Sequence, residues 1–285
     1  MALSDHTISP RAWESPMTAF KVLGALELLN GERICTPTAP KLRRVLALLL
    51  LCANQVVHID YLIEELWGED PPKSAVTQAQ TYIYQLRKVI TKEKLDAPGR
   101  ELLLTKPPGY VLRVEPEQVD AFVFQRLVWQ GRKSLENGDI ETAAETLRHA
   151  LDMWTGPALA DVTPGRVLAA HVVPLEEQRL RALELRIQAD LRLGLHRELI
   201  GELRSLVATH PLNEWFHGQL ITVLSQAGRR SEALQTYQDL RTTLNGELGL
   251  EPSPELQRLQ HEVLTAGFPQ VLLQDSRPNA RVTGS

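Results

Sequence analysis

The 285-residue chain has no apolar stretch long enough to cross a membrane. Its longest uninterrupted apolar run, Val45 to Ala53, has nine residues, whereas a transmembrane helix needs roughly 20. The first 19 residues include Asp5, Pro10 and Pro16, and they lack the basic start and apolar centre of a signal peptide. We therefore expect the protein to remain in the cytoplasm.

Cysteine, aromatic residues and catalytic motifs are also scarce. The two cysteines, Cys35 and Cys52, have no second pair with which to form a zinc or redox motif, and we expect both to be buried, reduced thiols. Aromatic residues make up 5% of the chain, which is too few for a surface that stacks single-stranded bases. The chain contains no GxxxxGK[ST], GxGxxG or HExxH motif. These absences make an enzyme the least favoured class, and we expect no metal or cofactor.

The titratable residues do not form a convergent catalytic set. The eight histidines are scattered, and we expect each to be a surface or boundary residue rather than a ligand. The adjacent pairs Glu64-Glu65 and Glu176-Glu177 would point about 100° apart on a helix, so neither pair can act on one substrate. We expect both pairs to be solvated.

The formal net charge of −4 is unevenly distributed. Residues 16–114 hold 13 Lys and Arg against 10 Asp and Glu, a net of +3, so the remainder carries −7. Such asymmetry fits one domain that faces phosphate and another that faces protein. A balance of +3 is also common in ordinary domains, so the charge alone decides little.

The N-terminal part has the pattern of a small sheet followed by helices. The alternating apolar residues from Phe20 to Leu28, followed by Asn30-Gly31, predict an antiparallel sheet with a tight turn. Lys41 to Ala53 is rich in leucine and predicts a helix with most of its faces buried. Tyr61 to Trp67 predicts a short second helix, which Asp60 can cap.

A third predicted helix begins after Ser74 and runs to about Ile90. Residues spaced by about 100° form an apolar stripe that would pack on the two preceding helices: Val76, Ala79, Ile83, Leu86 and Ile90. The opposite face is polar and nearly free of acid, and such side chains can bond base edges in the major groove. The candidate base contacts are Thr77, Gln78, Thr81, Tyr84 and Lys88. An ordinary solvated face explains this segment, taken alone, equally well.

A predicted basic hairpin follows this helix. Leu102 to Thr105 and Tyr110 to Val114 are two short strands, and Pro108-Gly109 between them suits a type II turn. A hairpin after three helices is the order of a winged helix-turn-helix. Residues on the first helix, the margin of the third helix and the wing are the candidate phosphate contacts: Arg43, Arg44, Lys73, Arg87, Lys106 and Tyr110.

The rest of the chain is helical in pattern and repeats. Gly194 and Gly228 lie 34 residues apart, the period of tetratricopeptide-like helix pairs, and Gly138 begins a third copy displaced by an insertion. Each copy places four apolar residues on one helical face: Ala143, Ala144, Leu147 and Ala150; Leu199, Ile200, Leu203 and Leu206; Ala233, Leu234, Tyr237 and Leu240. We expect a loop at the insertion, a long helix from Pro174, and stacked pairs with a concave surface for a partner.

Five stretches resemble a known family. LRRVLALLLLCANQVVHIDYLIEELWGEDPPKSA, QTYIYQLRK and PPGYVLRV resemble the DNA-binding domain of the Streptomyces antibiotic regulatory protein family. MWTGPALADV and ELGLEPSPEL resemble the bacterial transcriptional activation domain that follows it in that family. The predicted fold is mainly α: an OmpR-type winged helix-turn-helix (α+β) at 19–115, then an all-α, tetratricopeptide-like domain at 117–266. Residues 1–18 and 267–285 are expected to be flexible.

The resemblance implies an activator of a secondary-metabolite gene cluster. Such a protein binds tandem direct repeats of double-stranded promoter DNA, self-associates there and recruits RNA polymerase through its sigma factor and core subunits. In response-regulator output domains the loop before the recognition helix touches polymerase, so Glu69 and Asp70 are candidate polymerase contacts, although a solvated helix end is an equally good explanation. A repressor with the same DNA domain and a helical-repeat scaffold remain the alternatives.

Overall fold

The computed structural model describes residues 18–96 and 101–265. The described residues form two compact units, one ending at Ala189 and the other beginning at Asp190. The predicted boundary between the sequence domains, at 115–117, lies inside the first unit, so those domain limits stay predictions. The expected flexible tail at 267–285 and residues 1–17 of the expected flexible N-terminus lie outside the described residues.

The first unit begins with the predicted antiparallel sheet. Its strands are β1 (Thr18–Lys21), β2 (Glu27–Asn30) and β3 (Arg33–Ile34), in the order β1-β2-β3. Asn30 pairs with Arg33, so the intervening turn contains Gly31, which has a φ of 59°. This left-handed conformation is one that glycine adopts at little cost. The sheet is therefore confirmed, but the turn is shifted by one residue: Asn30 still belongs to β2, and the two turn positions are Gly31 and Glu32.

Three helices and a second sheet follow in the predicted order. The elements are α1 (Pro40–Leu51), β4 (Val57–His58), α2 (Ile59–Trp67), α3 (Ala75–Lys92), β5 (Leu103–Lys106) and β6 (Gly109–Leu112). The sheet order is β4-β6-β5. Strand β4 has only two residues, which is too short for an alternating pattern to reveal it, and it was not predicted.

Two local predictions in this part are wrong. The side chain that caps α2 is His58, which accepts a hydrogen bond from the backbone N–H of Asp60. Lys106 pairs with Gly109, so Pro107 and Pro108 occupy the two turn positions of the wing and Gly109 already belongs to β6. A Cβ atom on Gly109 would lie 1.9 Å from the carbonyl oxygen of Val57, so the close approach of β4 explains the glycine.

The first unit continues into three longer helices. A 3₁₀ turn, Pro116–Gln118, leads to α4 (Asp120–Asn137), α5 (Ile140–Asp152) and α6 (Arg166–Arg192), whose last three residues already belong to the second unit. Helix α6 begins at Arg166 and not, as predicted, at Pro174. Pro174 lies inside the helix, nine residues into its sequence.

The described residues of the second unit form helices joined by short turns and loops. Its helices are α7 (Leu199–Thr209), α8 (Glu214–Gln226), α9 (Arg230–Leu248) and α10 (Pro254–Thr265). Helix α8 packs on α7 and α9, and α10 packs on α8 and α9. The core therefore comes from successive neighbouring helices.

The predicted apolar quartets largely face the interior. All four residues on α5 are buried, and the α7 and α9 sets are buried except for the half-buried Leu206 and Leu234. Gly138, Gly194 and Gly228 all have positive φ, so each ends a helix in the left-handed conformation that favours glycine.

One histidine departs from the expected surface position. His217 on α8 is buried, with its Nε2 atom 3.1 Å from the carbonyl oxygen of Pro211. Burial lowers the pKa of this imidazole, against smaller opposing effects of Pro211, Asp239 and other neighbours. Among residues 18–96 and 101–265, no helix combines the length and apolar character that a membrane span requires.

Candidate nucleic-acid interface

Helix α3 packs against the unit through a narrow stripe of residues. Ala79, Ile83, Leu86 and Ile90 are buried, as predicted. Val76 is 50% exposed, so its assignment to the stripe is wrong. Ala75 takes the buried position at the start of the helix, and Val76 is rotated from it by about 100° toward solvent.

The opposite face of α3 presents polar side chains and no carboxylate between Ala75 and Lys92. Thr77, Thr81, Tyr84 and Lys88 are exposed on it. Their spacing of three or four residues places them on one side of the helix. A groove of DNA would therefore meet hydrogen-bonding groups and positive charge, with no carboxylate of this helix repelling its phosphates.

Four of the five candidate base contacts already interact with neighbouring groups. Thr81 donates its hydroxyl proton to the carbonyl oxygen of Thr77 at 2.8 Å, and Gln78, which is half-buried, donates to the Ser74 hydroxyl at 2.9 Å. The Lys88 ammonium lies 4.9 Å from the centre of the Tyr84 ring. Such contacts reduce the side-chain freedom that would be lost on binding.

Arg87 joins α3 to the wing. Its Nε donates to the carbonyl oxygen of Leu103 at 3.3 Å and its Nη2 to the hydroxyl of Thr105 at 2.7 Å. Both acceptors lie on β5, so the guanidinium fixes the strand beside the helix. This role as a brace was not predicted, because Leu103 and Thr105 are far from Arg87 in sequence.

The remaining candidate phosphate contacts divide into exposed and buried residues. Lys73, just before α3, and Lys106, at the tip of the wing, are exposed. Tyr110 on β6 is only 9% exposed and belongs to the hydrophobic core. Lys73 and Lys106 are therefore accessible to a phosphate, whereas most of the Tyr110 side chain is not.

Arg43 and Arg44 are bound to other parts of the same unit. Arg43 forms an ion pair with Asp161 and donates to the carbonyl oxygen of Leu26 at 3.3 Å. The Nε atom of Arg44 lies 3.6 Å from a carboxylate oxygen of Glu65. Their side chains are 15% and 22% exposed. Both guanidinium groups are therefore already paired with carboxylates, and their contact with phosphate stays a prediction.

Glu65 is buried and binds the start of α6. Its carboxylate accepts the backbone N–H groups of Gly165 at 2.6 Å and Leu168 at 2.8 Å. The exposed N–H groups and positive dipole end of a helix favour such a carboxylate. The expectation that Glu65 would be solvated is wrong, because its partners lie about 100 residues away in sequence and no local pattern reveals them.

The adjacent Glu64 and the second acidic pair agree better with the expectation. Glu64 lies near the surface, with Oε1 3.6 Å from Nε of Arg166. Glu177 is exposed, whereas Glu176 is half-buried and accepts the backbone N–H of Ala158 at 2.6 Å.

A second carboxylate, on the half-buried residue Asp120, holds the turn between β1 and β2. Asp120, the first residue of α4, accepts the backbone N–H groups of Val22 at 2.9 Å and Leu23 at 3.0 Å. Burial raises the pKa of Asp120 to about 6, although these hydrogen bonds and Lys21 oppose the shift. The loop after α5 covers the same turn, because Thr155 donates its N–H to the carbonyl oxygen of Leu23.

The candidate polymerase contacts are at the surface. Glu69 and Asp70 follow the end of α2 and are both exposed. They lie in the segment that leads to Lys73 and α3, so they are near one end of the candidate interface in sequence.

The two cysteines are free and half-buried, rather than fully buried as expected. Burial raises the pKa of the Cys52 thiol, which lies 3.4 Å from Nε2 of His171. Burial, followed by a hydrogen bond with Glu93, raises the pKa of Cys35. Within the part of the chain that the structure describes, no three His, Cys, Asp or Glu side chains are grouped to hold a metal ion.

A three-helix arrangement with a β-hairpin braced against its third helix defines a winged helix-turn-helix protein of the transcriptional-regulator class. Residues 35–112 match the C-terminal domain of transcriptional regulatory proteins, and residues 119–264 match the bacterial transcriptional activator domain. The chain belongs to the Streptomyces antibiotic regulatory protein family of transcriptional activators.

Individual relatives support this assignment. The regulatory protein DnrI of Streptomyces peucetius is 43% identical over 248 residues, which cover 86% of this chain and 91% of DnrI. The regulatory protein AfsR of Streptomyces griseus is 36% identical, but the chain spans only 24% of its length. The solved structure of Mycobacterium tuberculosis EmbR superposes with a TM-score of 0.80 at 32% identity, covering 87% of this chain and 65% of EmbR.

Proposed function

We propose that the protein binds double-stranded promoter DNA sequence-specifically and activates an antibiotic or other secondary-metabolite gene cluster. The observation that carries this proposal is the acid-free, exposed face of α3, which Arg87 braces against the wing. A helix of this kind fits the major groove, where each base pair presents its own pattern of donors and acceptors. Membership of an activator family supports activation over repression.

The residues on the α3 face take distinct roles in this proposal. Base edges are contacted by the predicted set: Thr77, Gln78, Thr81, Tyr84 and Lys88. Phosphates are held by Lys73 and Lys106 at the two ends, while Arg87 places the wing and offers its remaining N–H groups to the backbone of the DNA. Arg43, Arg44 and Tyr110 are left out of the phosphate set because of their pairing and burial.

Selection of bound sequences from a random duplex pool tests the proposal with the full chain. We expect an enriched motif that occurs as two direct repeats roughly 10 to 11 base pairs apart, about one helical turn. One winged domain covers few bases, and a second half-site multiplies the discrimination. Recovery of unenriched sequences would contradict DNA recognition.

The selected duplex also tests self-association. Two protomers should bind the repeats cooperatively in mobility shifts, and inserting about five base pairs should weaken the two-protomer complex, because the second protomer is then turned to the other side of the helix. A single protomer on each duplex, or indifference to the insertion, would contradict tandem binding.

Polymerase recruitment is proposed to use Glu69 and Asp70. Both are exposed in the segment that leads to α3, and carboxylates there would be repelled if they faced phosphate. Reversing both charges should lower transcription in vitro while leaving DNA affinity unchanged. A matched reversal of the exposed Glu247 on α9 is the control. An equal loss of DNA binding and transcription would argue against a polymerase contact, and transcription that falls on adding the wild-type protein would indicate a repressor.

A further inference from the structure

Val76 of α3 is an apolar residue whose side chain the fold leaves half exposed. Val76 and Tyr84 are the large hydrophobic side chains exposed on this helix, at 50% and 57%. Tyr84 is covered in part by the Lys88 ammonium. Val76 instead lies in the first turn of α3, where a helix that enters a major groove places residues against base edges.

The neighbours of Val76 form a flank beside the polar face. Gln80, one turn further along, is exposed next to it. Arg87 follows on the same flank and contacts Thr105 of the wing. Because the wing contacts this flank, the flank borders the space that DNA would occupy between α3 and the hairpin.

Val76 offers one kind of contact to a base pair. Its two methyl groups neither donate nor accept hydrogen bonds, and the apolar group that the major groove presents is the C5-methyl of thymine. Resting on the DNA binding proposed above, we propose that Val76 reads a thymine by packing against this methyl group. Gln80 is placed to bond the neighbouring base pair, where an amide suits adenine.

Replacement of thymidine by deoxyuridine tests this contact directly, because deoxyuridine keeps its base pairing and loses only the methyl group. The probe is the duplex recovered by selection, with each thymidine replaced in turn. Loss of one buried methyl group should weaken wild-type binding about fourfold at one position in each repeat. In Val76→Ala the same replacement should have no effect.

Two further variants make the result specific. Val76→Thr keeps the branched shape and one methyl group, so it should keep part of the sensitivity to deoxyuridine. Val173→Ala removes a valine that is 58% exposed on α6 and should respond to deoxyuridine as the wild type does. Thermal unfolding of Val76→Ala should match the wild type, because half of the side chain is already exposed.

The outcomes separate this inference from the function on which it rests. A wild-type protein that selects no duplex overturns both. A protein that selects a motif but is indifferent to deoxyuridine at every thymidine, or whose sensitivity survives unchanged in Val76→Ala, overturns the thymine contact and leaves DNA binding intact.

Discussion

The two basic surfaces of the winged part differ in what surrounds their charges. On α3 and the wing, Lys73, Lys88 and Lys106 are exposed and no carboxylate of the helix lies among them. On α1, Arg43 and Arg44 are bound by Asp161 and Glu65. Similar residues therefore have different roles: the first surface is available to a polyanion, and the second joins the sheet and helices of the winged part to the helices that follow.

We call the residues that join the winged part to the later helices the joining surface: Arg43, Arg44, Glu65, Asp120 and Asp161. Its carboxylates accept backbone N–H groups. Glu65 binds the start of α6, Asp120 binds the turn after β1, and Asp161 accepts the N–H of Leu26 at 2.8 Å. Each links segments about 100 or more residues apart. Removing a carboxylate should therefore affect folding, whereas removing a side chain of the α3 face should affect recognition.

The largest expected effect is that of Glu65→Ala. The change leaves the N–H groups of Gly165 and Leu168 without acceptors and Arg44 without its partner, so the free energy of unfolding should fall by about 3 kcal/mol. Urea unfolding of the full chain measures it. Glu64→Ala, which removes a neighbouring carboxylate at the surface, should cost far less. Equal stability of Glu65→Ala and the wild type would show that the contacts of Glu65 contribute nothing to stability.

The next effect depends on pH. The folded-state pKa of Asp120, about 6, lies above its ordinary value of 3.8, so the folded state binds this proton more tightly than the unfolded state. Its stabilising contribution is therefore present below about pH 4 and lost as pH rises through 6. Between about pH 4 and pH 6, the unfolding free energy of the wild type should therefore fall relative to that of Asp120→Asn, by up to about 3 kcal/mol. A pH-independent difference would show that the pKa of Asp120 is not raised.

Loss of a base contact should change specificity more than stability. Thr81→Ala should reduce discrimination between the selected motif and its single-base variants by about 1 kcal/mol or more at one position. Thr242→Ala is the matched control, because Thr242 is exposed on α9 and bonds its own helix in the same way, to the carbonyl oxygen of Gln238. An unchanged preference in Thr81→Ala would remove this residue from the base contacts.

The smallest effect distinguishes the two basic surfaces directly. Each lost phosphate contact reduces the slope of log affinity against log salt by about 0.9. Lys106→Ala should show this reduction and weaken binding on all sequences alike, whereas Arg43→Ala, measured where it is folded, should keep the wild-type slope. A reduced slope in Arg43→Ala would mean that its pairing with Asp161 opens on DNA.

Local patterns predicted the elements well where the physical cause was local. The stripe of Ala79, Ile83, Leu86 and Ile90 follows from the period of a helix, and the reversal of the chain after Asn30 follows from the backbone freedom of Gly31. Val76 fits the same period loosely, but periodicity does not show where the buried arc ends. Only the placement of Ala75 against the core decides that.

The sequence by itself determined the order of the helices and of the strands other than β4, the acid-free face of α3 and the repeated apolar quartets, because each depends on the spacing of residues along one segment. The tertiary structure decided which charges are free. Arg43 pairs with Asp161, Arg44 pairs with Glu65, and Glu65 also binds the N-terminus of α6. These pairings depend on contacts between segments that are distant in the sequence. Electrostatic partners are set by distance in space, so a sequence shows the charges and only the folded chain shows which of them remain for a ligand.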